Sequence, residues 1–519
     1  MSAQRPNILF ILSDDQSAWS LGCYGNREVI TPTLDGLAAR GARFDSFYCA
    51  SPVCSPARAS ILTGKMPSQH GVLDWLGGGS VDKKDYEGLR MSLAGHRHEV
   101  NWPEAEGREP APGETVPFSA MRNYQKYMNY ERGVIQFLQG QQCYTELLAA
   151  SGYTCGLAGK WHLGDSYHAQ KGFSYWQAIA RGGAAYSLPD CIQDGKPVLV
   201  EQYVTDWVTD RAVDFLDQQK GAGAPFYLSV HYTAPHDPWE QADQPADVWA
   251  LYDGCPFDSV PRCAPHPDQV QMIRHPRDEQ DRDYLIHGYY TCITAMDRAI
   301  GRLLARLEQN GQLENTLIFF TGDNGLNLGQ HGVWGKGNGT FPMNMYESSV
   351  RVPFLACGPG VRPGSVYKGL YSHYDVFHTL LELAGCTPPA ADGDAPLPGR
   401  SFARALRTGA DEPDAPVVVF DEYGPVRMIR EGRYKLVYRA PYGPHELYDL
   451  QADPDEEHDL SGDEAMQEVK HRLGRRLTEW FRTYSTPERD GAQYPVDGRG
   501  QMERVENFST GVTVFRNFF

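Results

Sequence analysis

Residues 281–324 read DRDYLIHGYYTCITAMDRAIGRLLARLEQNGQLENTLIFFTGDN, and the fold turns on how this stretch is divided. Ile293, Met296, Ile300, Leu303 and Leu307 recur at helical spacing, which predicts an amphipathic helix over 281–310 that Gly311 terminates. The apolar run after it predicts a strand over 315–320, which leads into Asp323-Asn324. The same helix-then-strand grammar recurs upstream. A helix over 144–150 precedes a strand over 153–158, and a helix over 204–218 precedes a strand over 225–231. Residues 6–13 read as a fully buried strand ending at Asp14-Asp15, and 32–41 as a helix with Pro32 near its start and Gly41 as its stop. Alternating elements of this kind predict an α/β domain with a mostly parallel sheet and helices on both faces. Polar clusters fall where strands end, at Asp14-Asp15, at 231–236 and at Asp323-Asn324. Ligands of such sheets bind beyond the carboxyl ends of strands, so these distant pieces are expected to share one cleft.

After about Ala384 the texture changes. Residues 386–398 are rich in Pro, Ala, Asp and Gly and read as a linker. Short strands over 417–421, 428–430, 434–438 and 446–450 follow, then an amphipathic helix over 464–484. The reading is a catalytic domain over 1–385 and a smaller α+β subdomain with an antiparallel sheet over 386–519. Phenylalanines at 508, 515, 518 and 519 predict that the terminal segment packs on its own body or on a neighbouring subunit of a homo-oligomer.

The net charge of −18 over 519 residues argues against nucleic acid or an anionic membrane as partner. With 41% apolar residues the chain can bury a large core. The first apolar run, 8–12, is too short to span a bilayer and lacks a cleavage pattern. The 11 cysteines show neither paired nor framework spacing, so reduced thiols and a cytoplasmic location are expected, with small imported substrates.

Asp14, Asp15, Asp323 and Asn324 together offer only oxygen ligands, which suits a hard divalent cation. No His/Cys set with zinc spacing accompanies them. Residues 51–60 read SPVCSPARAS. Their Cys54-x-Pro56-x-Arg58 core, continued by Ala59-Ser60-Ile61-Leu62-Thr63-Gly64, resembles the maturation signature of type I sulfatases. Three further segments agree in order: Gly159-Lys160-Trp161-His162-Leu163-Gly164, the run 231–238 containing His236, and 322–337, which ends with Lys336 and Gly337. Residues 434–436 and 446–450 resemble the carboxy-terminal strands of the same family.

The resemblance implies an alkaline-phosphatase-like fold and hydrolysis of a sulfate ester, of a sugar or an aryl alcohol. It implies that a sulfatase-maturing enzyme oxidises Cys54 to formylglycine, whose hydrate is the nucleophile. Pro56 would start the helix carrying it, and Arg58 would hold the hydrate and nearby carboxylates. One divalent ion, calcium with magnesium as the alternative, would be bound by Asp14, Asp15, Asp323, Asn324 and the modified Cys54. Asp323 would accept a proton, Lys160 would contact a sulfate oxygen, and His162 would assist loss of the second hydroxyl proton. His236 would contact sulfate and protonate the leaving oxygen. Lys336 would bridge sulfate and leaving oxygen, and His331 would line the substrate pocket. Asp237 reads as structural, and His231 as packing beneath the site.

The chain departs from the family pattern at Leu326, where many members carry glycine, and in a long connection over 77–140 with His96, Arg97, His98 and Trp102. That connection reads either as part of the substrate pocket or subunit contact, or as a surface elaboration. A phosphonate monoester or phosphodiester hydrolase of the same superfamily is the nearest alternative, and Asn324 and Ser55 favour the sulfatase over it. A sulfate-binding relative that never matures is the other.

Overall fold

The computed structural model describes residues 5–516, except 93–110, 112, 122–123, 125–127, 132, 271–272, 388–395, 412–414 and 422–425. His96, Arg97, His98 and Trp102, most of the linker, and Phe518 and Phe519 therefore lie outside the described residues.

At the centre stands the strand Asn7–Ser13, parallel to Thr316–Gly322 on one side and to Phe226–His231 on the other. Phe226–His231 pairs in parallel with Thr154–Lys160, which pairs in parallel with Tyr175–Ile179. Mostly antiparallel pairings complete both flanks, giving 11 strands among the described residues. Ile8, Phe10 and Leu12 join one apolar core, and Leu9 and Ile11 join the other. Alternate side chains of a strand point to opposite faces, so a continuous apolar run is what a sheet covered on both sides requires. The helix Glu279–Gln309 covers one face with Ile293, Met296, Ile300, Leu303 and Leu307. Asp278 caps its start by accepting a hydrogen bond from the Asp281 amide at 2.8 Å. No helix among the described residues is long and apolar enough to cross a membrane.

The expected elements are present with small differences in extent. The strand predicted over 153–158 runs on to Lys160, so that lysine ends a strand rather than standing in a loop. The strands Ala42–Tyr48, Tyr175–Ile179, Asp190–Gln193, Lys196–Leu199 and Ser365–Ser372 had no clear signal in the sequence. The last of these pairs in parallel with the first.

Four antiparallel strands, Val417–Asp421, Val426–Glu431, Tyr434–Arg439 and Glu446–Asp449, form the carboxy-terminal sheet. The helix Gln467–Tyr484 lays Leu473, Leu477 and Phe481 against Val418, Phe420, Ile429 and Leu436. In the terminal segment Val514 and Phe515 are buried, and Phe515 and the more exposed Phe508 both pack against Tyr494 of the same chain.

A buried charge network fastens this sheet to the main α/β body. Lys435 is 0% exposed and contacts Glu347 at 3.1 Å and Glu456 at 2.7 Å. Glu347 also accepts from Tyr48 of the central sheet at 2.9 Å. Its carboxyl is held down at about 2 because Lys435, Arg430 and Arg351 overcome the effect of burial. Removing one member of a buried ion pair strands the other, at a cost of about 3–5 kcal/mol. Lys435→Met is expected to lose stability of about that size, measured by guanidinium unfolding; an unchanged midpoint would remove the network from the account of domain docking.

Candidate active site

Register brings the site together. Ser13 stands opposite Gly322, and Leu12 opposite His231, so Asp14-Asp15 and Asp323-Asn324 leave adjacent strands side by side. Gly159 lies opposite His231 on the next strand and brings in Lys160. Gly159 has φ +109°, and a Cβ there would sit 1.9 Å from the His231 carbonyl oxygen. Only glycine permits this approach. Asp15 and His162 also adopt positive φ, 57° and 55°, a conformation that costs energy in residues bearing a Cβ.

The helix Cys54–Thr63 is buried throughout, with Cys54 in its first turn and Gly64 as a left-handed cap. Its amino terminus therefore points the positive end of the helix dipole at Cys54. Three of the family-like cations meet the carboxylates here. Arg58 Nε donates to Asp323 Oδ2 at 2.8 Å, and its Nη2 lies 3.9 Å from Asp14 Oδ2. Lys160 pairs with Asp14. Lys336 Nζ reaches Asp15 Oδ1 at 2.7 Å and lies 3.7 Å from Cys54 Sγ. His236 Nε2 lies 3.5 Å from Asp15 Oδ2, and its main-chain oxygen accepts from Tyr186 at 2.9 Å. Asp14, Asp323, Asn324 and Lys160 are 0% exposed, so these charges act in a medium of low polarity.

The environment separates the titrating groups. Burial pushes the Asp14 and Asp15 carboxyls upward, but Lys160 and Lys336 respectively, aided by His236, bring both below the usual value. For Asp323 burial and the Asp14 carboxylate win over Arg58, and its carboxyl is raised. Burial, Lys160 and Arg58 hold His162 well below the normal histidine range, in the neutral form. Burial also acts to lower His236, yet Asp15, Asp237 and Asp14 outweigh it and raise the imidazole. Burial raises the Cys54 thiol despite Lys336 and Lys160.

His162 Nε2 stands 3.1 Å from the Leu76 carbonyl oxygen. A carbonyl only accepts, so the hydrogen of the neutral ring sits on Nε2 and Nδ1 keeps a lone pair. That Nδ1 is buried without a hydrogen-bond partner among the described residues, as are Asp14 Oδ1 and Asn324 Oδ1. The two oxygens lie within an all-oxygen, anionic cluster, the donor chemistry of a hard divalent cation. Asp14, Asp15 and His236 have ligand atoms within 4.8 Å of one another, which adds an imidazole to the expected set.

His231 packs under the site with Nδ1 on the Lys160 carbonyl oxygen at 3.1 Å, and burial lowers it to about 3. The His331 ring stacks on Tyr346 at 3.7 Å, and burial, Lys435 and His266 lower it to about 4. Leu326 is buried, and its main-chain oxygen accepts from Ser17 at 3.1 Å and Trp19 at 3.3 Å. Neither Leu76 nor Tyr186 carries a signal in the sequence. Each acts on a histidine through a contact that involves main-chain oxygen, and main-chain contacts leave no residue-type signature.

The family model described as Sulfatase matches residues 6–86 and 114–386, a span that contains every candidate site residue. The chain belongs to the sulfatase family. A second model, described as N-sulphoglucosamine sulphohydrolase, C-terminal, matches residues 329–483. The chain is a sulfuric ester hydrolase by this membership. It is similar to an N-acetylglucosamine-6-O-sulfatase of Bacteroides thetaiotaomicron, with 24% identity over 97% of this chain and 91% of that one. A choline-sulfatase of Rhizobium meliloti is 27% identical over 88% of this chain and 82% of that one. A solved structure of a protein in complex with its substrate D-glucosamine-2-N,6-O-disulfate shares the fold, with TM-score 0.71, 23% identity, and coverage of 93% of this sulfatase and 98% of that chain.

Arg58 is the only charged partner within ion-pair distance of Asp323 among the described residues. Arg58→Met in this sulfatase is expected to lower stability by about 3–5 kcal/mol. The drop should shrink at acid pH, where Asp323 takes a proton. A loss independent of pH would assign the cost to packing instead.

Proposed function

We propose that this sulfatase hydrolyses a sulfate ester of a carbohydrate, with position 54 oxidised to formylglycine as nucleophile and a single divalent cation, calcium, beside it. The observation that carries this reading is the placement of Cys54 at a helix start, 3.7 Å from Lys336 Nζ, against the Asp14, Asp15, Asp323 and Asn324 cluster. Once oxidised to the aldehyde and hydrated by one water, position 54 supplies two hydroxyls on one carbon, one to attack sulfur and one whose deprotonation releases sulfate and restores the aldehyde. The cation would be held by Asp14, Asp15, Asp323 and Asn324, and it would supply positive charge to a sulfate oxygen.

The chain's own residues then divide the work. Lys160 and Lys336 carry positive charge to the sulfuryl oxygens, where charge is redistributed in the transition state. His236, raised by its acidic neighbours, is suited to protonate the leaving oxygen. The Nδ1 lone pair of neutral His162 is available to accept a hydroxyl proton. Asp323, raised by burial, is the stronger base among the carboxylates, and Arg58 fixes its orientation.

The glucosamine disulfate complex and the N-acetylglucosamine-6-O-sulfatase relative support a sulfated sugar as substrate. All 11 cysteines are free, which supports a cytoplasmic setting. A maturing enzyme acting on Cys54 belongs to the same proposal.

In protein co-produced with such an enzyme, peptide mass analysis across Cys54 is expected to find the aldehyde, and Cys54→Ala to be inactive. Sulfate and phosphonate esters of one phenol should then be compared. Faster phosphonate turnover would overturn the assignment. Lys336→Ala is expected to lower kcat by about 10²–10³-fold. Near-normal kcat in fully converted protein would remove Lys336 from the reaction.

Calcium added to chelator-treated protein is expected to raise Tm, equivalent to about 2.7 kcal/mol at a hundred times Kd. Asp15→Asn should abolish that gain. An equal gain in the variant would place the ion elsewhere.

A further inference from the structure

Neither family model extends past residue 483, yet the chain beyond it returns to the catalytic body. There it lies along residues 71–77, just after the helix that begins with Cys54, and Gln501 pairs in parallel with Leu76. Gln501 is 0% exposed. Its amide donates to the Trp75 carbonyl at 2.8 Å, and its carbonyl accepts from the Gly77 amide at 2.9 Å. Its side-chain Oε1 accepts from the Leu73 amide at 2.8 Å, and Nε2 donates to the Gly71 carbonyl at 3.0 Å and the Glu503 carbonyl at 2.9 Å. Neighbours reinforce it. The Gly500 amide donates to Asp74 Oδ2 at 2.9 Å, and Arg516 lies over the rings of Trp75 and Tyr130.

The segment held in this way touches the site twice through one residue. The Leu76 amide donates to Ser55 Oγ at 3.1 Å, beside Cys54, and the Leu76 carbonyl takes the hydrogen of His162 Nε2. Apolar side chains such as Val505 and Phe515 already anchor the terminal segment. Apolar contact is non-directional, whereas the bonds of Gln501 fix the register of 71–77 to a fraction of an ångström.

We propose that Gln501 is a positioning residue of the sulfatase reaction: it pins residues 71–77 so that Leu76 holds Ser55 beside the nucleophile and orients His162. The inference rests on the roles given above to position 54 and His162. Without the side chain, the Leu73 amide and the Gly71 carbonyl lose their partner in a buried place, and the segment shifts. A displacement of the order of 1 Å at a reacting centre costs about 10²-fold in rate.

The test uses full-length protein with the conversion of Cys54 quantified by mass. Gln501→Ala is expected to lower kcat on para-nitrophenyl sulfate by about 10- to 100-fold per converted site, with KM changed by less than about 3-fold. The ring-nitrogen resonances of His162 in isotope-labelled protein, assigned by their loss in His162→Ala, should shift. Val505→Ala, a buried truncation of the same segment, is the stability control. Unchanged kcat and histidine resonances in Gln501→Ala would overturn the proposal, as would an equal fall of kcat in Val505→Ala. Should Gln501→Ala not fold, Gln501→Glu keeps the acceptor for Leu73 and loses the donor to Gly71. A reduced kcat there supports the proposal, and wild-type kcat overturns it. If converted wild-type protein cleaves no sulfate ester, the functional reading fails, and the histidine resonances still decide whether Gln501 orients His162.

Discussion

Two parallel strands in register deliver Asp14 and Asp323 to the same buried spot, and much of the site answers to that placement. Like charges in a medium of low polarity repel strongly, and each loses its hydration on burial. The fold meets this with cations from separate places: Arg58 from a helix, Lys160 from the end of a neighbouring strand, and Lys336 from a loop after the second acidic pair. Each must arrive with its stem buried and its head within ion-pair distance, which fixes the helix and the loop against the sheet.

That compensation is uneven, and chemistry comes from the unevenness. Asp14 and Asp15 gain enough positive charge to stay ionised, whereas Asp323 is left with a raised carboxyl. Burial, together with the lysine and arginine that steady the aspartates, keeps His162 neutral, while the aspartates draw a proton toward His236. One cluster thereby holds two imidazoles in opposite protonation tendencies.

The core of this arrangement was legible in the sequence because it depends on residue type. Apolar runs announced the central strands, helical spacing announced 281–310, and charged residues at strand ends announced the cleft. Asp190–Gln193 is buried but only four residues long with polar ends, and Lys196–Leu199 lies at the sheet's edge, where partial exposure removes the apolar signature. The extension of one strand to Lys160 was hidden because a charged residue seldom sits fully buried at the end of a sheet strand. Leu76 and Gln501 were hidden for another reason. Their contributions come from main-chain groups or from one amide, and a lone glutamine in a polar segment carries no pattern. The stacking of His331 on Tyr346 likewise depends on tertiary packing that spacing alone does not encode.

The order of strands also bears on how the chain comes off the ribosome. Asn7–Ser13 is made early, yet both its neighbours come more than two hundred residues later, at Phe226–His231 and Thr316–Gly322. Until they emerge, an apolar strand with two open edges has no native partner, the condition under which nascent chains aggregate or need chaperones. The same delay leaves the 54–63 segment without the sheet that buries it. Cys54 is only 3% exposed once folding is complete, so under the proposed maturation a modifying enzyme would reach this segment most readily during synthesis, before the sheet closes over it.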